Sequence, residues 1–348
     1  MVSSFIAFVI VIGICVLVHE YGHYVTARLL GVQVHEFAFG MGPVLKQIRQ
    51  QNETRMLWSW RLFPIGGFCR LAGMGDERED ETVVPGMGFN EQAAWKRFLI
   101  LLDGSLNNIV LALILTAAFL YGHGVLDMND TKIGTLMSGY PAERAGFEIG
   151  DRIVAVNGRS VSEWREMSTN LREAAAEGDV DFTVEREDRT LHIKTAIPVG
   201  REQGYPMLGI TPALVRYTAL EAVKNAAGTT KDLTRLMLRG IWEWITRQHE
   251  VDVTGPIGIA SMSGRAMREG AWSFVTFLAL ISLNLGLLNL FPFPALDGGR
   301  IIFVLLEMIL RRRLPEKVEN IIHTAGFVLL ICLMVFVTWQ DIWRLFVE

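Results

Sequence analysis

His19, Glu20 and His23 stand in an H-E-x-x-H arrangement at the end of an apolar run from Phe5 to Val18. The i, i+4 spacing puts both imidazoles on one face of a helix, where neutral nitrogens can hold Zn²⁺. Glu20 between them can take a proton from an attacking water, so the chemistry of the set is hydrolysis of a peptide bond. Catalytic zinc takes three protein ligands and keeps one position open, so a third ligand must come from elsewhere in the chain. The alternative is a helix end with packed or hydrated histidines and a solvated Glu20. That alternative places three ionisable groups at the edge of hydrocarbon for no gain.

Asp297 is the best candidate for the third ligand. It lies in Asn289-Leu290-Phe291-Pro292-Phe293-Pro294-Ala295-Leu296-Asp297-Gly298-Gly299, directly after the apolar run Phe274 to Leu290. Pro292 and Pro294 break the helix, and non-helical backbone at membrane depth is tolerated only where protein or a water-filled cavity surrounds it. Gly298 and Gly299 allow close backbone approach before the next apolar segment, Ile301 to Leu310. The alternative for Asp297 is a carboxylate that caps the following helix. Cys15 precedes His19 by four residues on the same face, but two histidines and an aspartate already complete a ligand set, and Cys15 reads as packing.

The elements that must position these residues are read from the apolar pattern. Hydrophobic residues make up 51% of the chain and charged residues 20%, the charges concentrating between apolar blocks, and the mean hydropathy is +0.31. This predicts membrane helices with soluble insertions. Four spans are expected, Ser4 to Leu30, Trp95 to Tyr121, Trp272 to Phe291 and Ile321 to Phe346, with a shorter half-buried segment after Gly299. The first span has no charged n-region and no small-residue cleavage site, and it carries His19, so it reads as a retained helix and not a signal peptide. Arg28, Lys46, Arg49, Lys96, Arg97, Arg300, Arg311, Arg312, Arg313 and Lys317 mark one side as cytoplasmic. Both termini and the insertion between the second and third spans then face outward, with the zinc toward the cytoplasmic leaflet.

Val34 to Leu45 and Met56 to Leu71, separated by the polar Gln47 to Arg55, predict a β-hairpin and a third strand ending at Gly66-Gly67. Asp76 to Glu81 reads as a solvated acidic loop. Strands Asp181 to Glu185 and Thr190 to Ala196 follow a predicted helix from Ser162 to Glu177. Ala219 to Arg247 reads as a long amphipathic helix with Trp242 and Trp244 at its end, suited to the outer interface. A formal charge of −4 without a basic tract interleaved with aromatics argues against a nucleic-acid partner. Cys15, Cys69 and Cys332 lie far apart with no C-x-x-C pair and suggest no disulfide framework.

Together these motifs resemble the site-2 protease family, in particular the bacterial branch that carries an extracytoplasmic PDZ domain and includes the regulator-of-sigma-E proteases. The resemblance rests on His19-Glu20-Tyr21-Gly22-His23, on Phe39-Gly40-Met41-Gly42-Pro43 and Pro64-Ile65-Gly66-Gly67-Phe68, on Thr254-Gly255-Pro256-Ile257-Gly258, and on the Asn289 to Gly299 stretch. Tyr140-Pro141-Ala142-Glu143-Arg144-Ala145-Gly146 and the run Gly150 to Gly158 match a PDZ core. It implies an α-helical polytopic membrane protein of about four transmembrane helices, with a membrane-associated β-hairpin or sheet and one inserted α+β PDZ domain. The implied parts are a catalytic half over 1–131, the PDZ domain over 132–212, an amphipathic linker over 213–270 and a second catalytic half over 271–348. By the same resemblance His19, His23 and Asp297 are zinc ligands, Glu20 is the general base, and Asn289 contacts the substrate backbone. The strands ending at Gly66 and Gly67 offer an edge to an unwound substrate.

The implied activity is intramembrane cleavage of single-pass proteins, such as anti-sigma factors or remnant signal peptides, in a bacterial cytoplasmic membrane. The PDZ domain would bind a peptide or chain end outside it. One departure is Asp103-Gly104-Ser105-Leu106-Asn107-Asn108, where relatives carry Gly-Pro. Two other classes compete. A transporter also uses broken helices, though no inverted repeat is apparent. A zinc-free PDZ scaffold has no use for Glu20 or Asp297.

Overall fold

The computed structural model describes residues 2–50, 56–75, 77–78, 81–197, 207–246, 254–313 and 315–347. Its first part runs α1 (Val2–Leu29), β1 (Val34–Arg49), β2 (Leu57–Leu71) and α2 (Ala94–Gly122). An insertion follows with β3 (Val125–Leu126), β4 (Ile133–Leu136), α3 (Pro141–Ala145), β5 (Arg152–Val156), β6 (Arg159–Ser160), α4 (Trp164–Glu177), β7 (Val180–Arg186), β8 (Arg189–Thr195), β9 (Ile210–Pro212) and β10 (Leu214–Val215). The chain ends with α5 (Ala219–Ile245), α6 (Pro256–Glu269), α7 (Ala271–Asn289), α8 (Asp297–Leu310) and α9 (Glu316–Val347). Two compact units result, one of residues 1–119 with 223–348 and one of residues 120–222.

In the first unit α1, α2, α7 and the Lys317–Arg344 stretch of α9 are long and apolar enough to cross a membrane. Lipid provides little hydrophobic drive between helices, so close contact depends on small residues and on interhelical hydrogen bonds. A side-chain carbon added at Gly22 of α1 would meet the Asp103 carbonyl of α2 at 2.5 Å. Ser282 of α7 donates to the Asn108 carbonyl of α2 at 2.8 Å. The acid that departs from the family pattern is paired: Thr26 Oγ1 donates to Asp103 Oδ2 at 2.6 Å, and Ser105 beside it is fully buried. Helix α6, absent from the reading of the sequence, opens at Pro256. Its first turn is tied to α9 because the Gly255 and Gly258 N–H groups donate to Asp341, at 3.1 and 2.9 Å.

The expected hairpin with a third strand is instead two long strands, each bent on itself. Phe37–Cys69, Ala38–Phe68 and Phe39–Gly67 are paired in opposite directions, whereas Phe37–Trp58, Ala38–Ser59 and Phe39–Trp60 advance in step. Gln47–Ser59, Ile48–Trp58 and Arg49–Leu57 run oppositely again. Four half-strands therefore lie in the order 44–49, 57–61, 34–39, 67–71. Gly40, Gly42 and Gly66, at φ +86, +84 and +80, permit these reversals, a backbone region closed to most side chains.

Glu36 is 1% exposed on this sheet. It accepts from Ser59 Oγ at 2.5 Å and from the guanidinium groups of Arg61 at 2.5 Å and Arg78 at 3.0 Å. Arg70 approaches the same carboxylate at 3.5 Å and also pairs with Glu81 through both terminal nitrogens. Glu77 accepts the Gly73 N–H at 2.6 Å. Glu81 is thus held by Arg70, drawn in by the arginines around Glu36, and Glu77 by the Gly73 N–H, so neither is a free solvated side chain; Asp76, Glu79 and Asp80 lie outside the described residues. Burial alone would raise the Glu81 pKa, but hydrogen bonds from Arg70 and the Arg78 N–H, with the charge of Arg70, outweigh it and bring it to about 2. A carboxylate depressed on folding stabilises above its ordinary value near 4.5, and that contribution is lost as pH falls toward 2. Glu36→Gln is expected to be destabilising by about 1–3 kcal/mol, since the mostly enclosed Arg61 loses its counter-charge while Arg70 keeps Glu81 and Arg78 is half exposed. Denaturant unfolding of the detergent-solubilised protein checks this, and wild-type stability would refute it.

The second unit is an α+β fold around a four-stranded sheet in the order β6-β5-β7-β8. Trp164, Met167, Leu171 and Ala174 form one stripe of α4 and bury in a common core with Ile153, Val156, Val180, Phe182 and Val184. Glu187 and Asp188, at φ +46 and +61, make the tight turn between β7 and β8. Asp151, fully enclosed, receives Arg186 on both carboxylate oxygens at 2.7 and 2.8 Å. The unit spans residues 120–222, with the expected 132–212 inside it, and Val125–Val215 and Leu126–Leu214 pair beyond those bounds. The expected amphipathic helix is α5, with Leu236, Leu238 and Trp242 exposed. The Trp244 side chain lies outside the described residues.

Candidate metal centre

Helical spacing on α1 sets His19 and His23 edge to face, with ring centroids 4.8 Å apart. His23 Nδ1 lies 2.7 Å from the Ile100 carbonyl of α2. A carbonyl only accepts, so Nδ1 carries the proton and Nε2 presents its lone pair. The two helices meet so closely there that a side-chain carbon at Gly104 would lie 2.3 Å from His23 Nε2.

Asp297 arrives from the opposite side. After Asn289 the prolines end α7, and the loop folds back, with Phe293 donating to the Phe291 carbonyl at 2.7 Å and Leu296 to the Phe293 carbonyl at 3.2 Å. Gly298 follows Asp297 because any side chain there would meet the Phe291 carbonyl at 2.2 Å. Asp297 becomes the first residue of α8, preceded by an extended Leu296. Its Oδ2 reaches His19 Nε2 at 3.0 Å and His23 Nε2 at 3.3 Å, and the two Nε2 atoms are 3.2 Å apart.

Two imidazole nitrogens and a carboxylate oxygen are the donor set of a catalytic zinc site. A tetrahedral zinc with bonds of about 2.0–2.1 Å holds neighbouring donors about 3.3 Å apart. The three observed separations span 3.0–3.3 Å, so the residues fit three corners of such a shell. Among the described residues this is the one cluster of three or more His, Cys, Asp or Glu ligand atoms close enough to share an ion. Cys15 is not in it and packs with Val11 and Leu278.

Glu20, on the neighbouring face of α1, accepts the Cys69 N–H of β2 at 2.8 Å. Asn289, the last residue of α7, places its amide nitrogen 3.4 Å from His19 Nε2. Gly66 and Gly67 lie at the bend of β2, Gly67 paired with Phe39 and two residues before Cys69. The Cys69 N–H and the Ile100 carbonyl left no mark in the sequence, because every residue carries the same backbone groups. His323 was visible as an ionisable residue within the apolar stretch after Ile321, and its Nδ1 accepts the Ala295 N–H at 3.1 Å.

The model of peptidase family M50 matches residues 7–333. The chain belongs to peptidase family M50, the site-2 proteases. It is similar to a provisionally named zinc metalloprotease of Clostridium perfringens, CPE1693, 35% identical over 331 residues covering 94% of this chain and 95% of that one. It is also similar to the regulator of sigma-W protease RasP of Bacillus subtilis, 28% identical, covering 99% of each chain. A solved PDZ domain of an SdrC-like protein from Listeria monocytogenes covers 24% of this chain and 87% of its own at 16% identity, with a TM-score of 0.22. This M50 chain is a zinc metalloprotease with, among the described residues, four helices long and apolar enough to cross a membrane.

Proposed function

We propose that this M50 protease cuts the transmembrane segments of single-pass membrane proteins, with His19, His23 and Asp297 holding zinc and Glu20 acting as general base. The convergence of Asp297 Oδ2 on both Nε2 atoms within 3.3 Å, on helices of membrane-crossing length, carries this reading. Zinc bound there supplies Lewis-acid polarisation of the scissile carbonyl and brings a water's pKa to about 7. Glu20, steadied by the Cys69 N–H, takes the water's proton and returns it to the leaving amine. The Ile100 carbonyl keeps His23 in the tautomer that aims Nε2 inward.

Helical substrates bury their peptide bonds in internal hydrogen bonds and must unwind before attack. The 67–71 half-strand is an edge of the sheet, and its Cys69 N–H points at Glu20. Alternation aims the Gly67 amide the same way, so a segment added along this edge would run past the base, with the Asn289 amide beside it. Basic short loops support a bacterial cytoplasmic membrane with zinc toward the cytoplasmic leaflet and the second unit outside. The name of the RasP relative supports substrates that restrain sigma factors, and remnant signal peptides share the same single-pass chemistry. The second unit is read as a PDZ domain that binds peptides or chain ends and filters substrates by size.

One reconstitution tests both readings. Wild-type protein and a variant lacking residues 127–213, its β3 and β10 joined by a Gly/Ser linker, are placed in liposomes with a truncated single-pass substrate or the same substrate bearing a bulky outward domain. Both forms should cut the truncated substrate in a chelator-sensitive manner, and only the deletion should cut the bulky one. No cleavage of the truncated substrate by wild type sinks the protease reading. A bulky substrate still uncut after deletion sinks the filter.

A further inference from the structure

We infer that His323 of α9 is a positioning residue for Asp297, holding by its Nδ1 the Ala295 N–H that sets the loop from which Asp297 reaches the metal. The inference rests on the reading of Asp297 as a ligand. The most apolar 18 residues of the Lys317–Arg344 stretch reach a mean hydropathy of 2.5, and His323 in that stretch is 9% exposed. An ionisable group enclosed at membrane depth is retained for a partner. That partner is two residues from Asp297. Phe293 and Leu296 donate within the loop, whereas Ala295 donates across to α9, at 3.1 Å.

Ala295 stands at φ +82, a conformation a residue with a β-carbon adopts only when its surroundings impose it. Three contacts impose it. His323 takes its N–H. Gly326, one turn further along α9, lets that helix rest on the loop so closely that a side-chain carbon there would lie 2.3 Å from Pro294 Cβ and 2.6 Å from the Pro294 carbonyl. Phe303 of α8 sits against the His323 ring, centroids 5.5 Å apart, and steadies its plane. Without the acceptor, the Ala295 N–H has no bond within the loop to return to, and relaxation of φ to negative values would swing the residues that follow. Asp297 Oδ2 would then leave its 3.0 and 3.3 Å positions beside the histidines. The clamp thus links the last membrane helix to the ligand geometry, through a contact that touches neither substrate nor metal.

The test uses the full-length protein in detergent and reads zinc affinity by chelator competition, together with the visible absorption of the cobalt-substituted form. Supporting contacts of metal ligands are worth about 10- to 100-fold in affinity, and His323→Ala should lose that much and show a weakened, shifted cobalt spectrum. His323→Asn, whose Oδ1 can occupy the place of Nδ1, should retain near wild-type affinity. Adding Ala295→Gly to His323→Ala should recover much of the loss, since glycine holds φ +82 without strain. Wild-type affinity in His323→Ala, equal loss in His323→Asn, or no recovery with Ala295→Gly would each overturn the clamp. If His323→Ala does not accumulate, His323→Phe fills the space without an acceptor and carries the same comparison. Asp297→Asn is measured alongside: unchanged zinc there overturns the ligand set itself, whereas lost zinc there with unchanged zinc in His323→Ala overturns the clamp alone.

Discussion

Glu20→Gln protein is expected to fold, to bind zinc in full and to lose about 10²- to 10⁴-fold in peptidase rate, the range that a positioned general base contributes. The reason is in the geometry. Glu20 is outside the cluster of ligand atoms, and its contact to the fold is the Cys69 N–H at 2.8 Å. A glutamine Oε1 accepts that N–H as the carboxylate does, so the side chain stays beside β2 while the basicity proposed to remove the water's proton is gone. Metal analysis and single-turnover cleavage on the same preparation check it. A variant that loses zinc would make Glu20 a ligand, and one that keeps the wild-type rate would make the base another group.

Asp297→Asn is expected to weaken zinc binding by more than the roughly 10- to 100-fold that loss of a supporting contact costs, and to abolish turnover. In the proposed ligand set the carboxylate is the anionic member, with its Oδ2 within 3.3 Å of both imidazole nitrogens. A neutral amide is a poorer oxygen donor to zinc and leaves the charge of the ion uncompensated in a site where His19 and His23 are buried. The substitution preserves side-chain shape, so Gly298 and Gly299 can still pack against the Phe291 and Phe293 carbonyls and the start of α8 should survive. Chelator competition decides the matter. Wild-type affinity in Asp297→Asn would remove it from the ligand set and return the role to a helix cap.

What was legible in the chain by itself was local in origin. The four-residue spacing of His19 and His23 puts two imidazoles on one helical face whatever surrounds the helix, and the apolar runs over α1, α2, α7 and α9 set their lengths. Pro292 and Pro294 end α7 because of their own ring geometry, so a break after Asn289 could be read off directly, whereas the structure places Asp297 not on the break itself but as the first residue of α8.

The tertiary structure alone decided the rest. The bending of β1 and β2 into four half-strands depends on which residues pair across Gly40 and Gly66, and alternation of side chains is the same for a hairpin and for a folded-back strand. The acidic stretch near Glu81 looked solvated because its arginine partners, Arg70 and Arg78, gather around Glu36 of a different strand. The hydrogen bonds around the candidate centre, between Ile100 and His23, Cys69 and Glu20, and Ala295 and His323, use backbone groups that every residue carries. Which of those groups meets a given side chain is set by how closely α1 meets α2 at Gly104 and α9 meets the Pro294 loop at Gly326, a property of packed pairs of elements and not of either element's own residues.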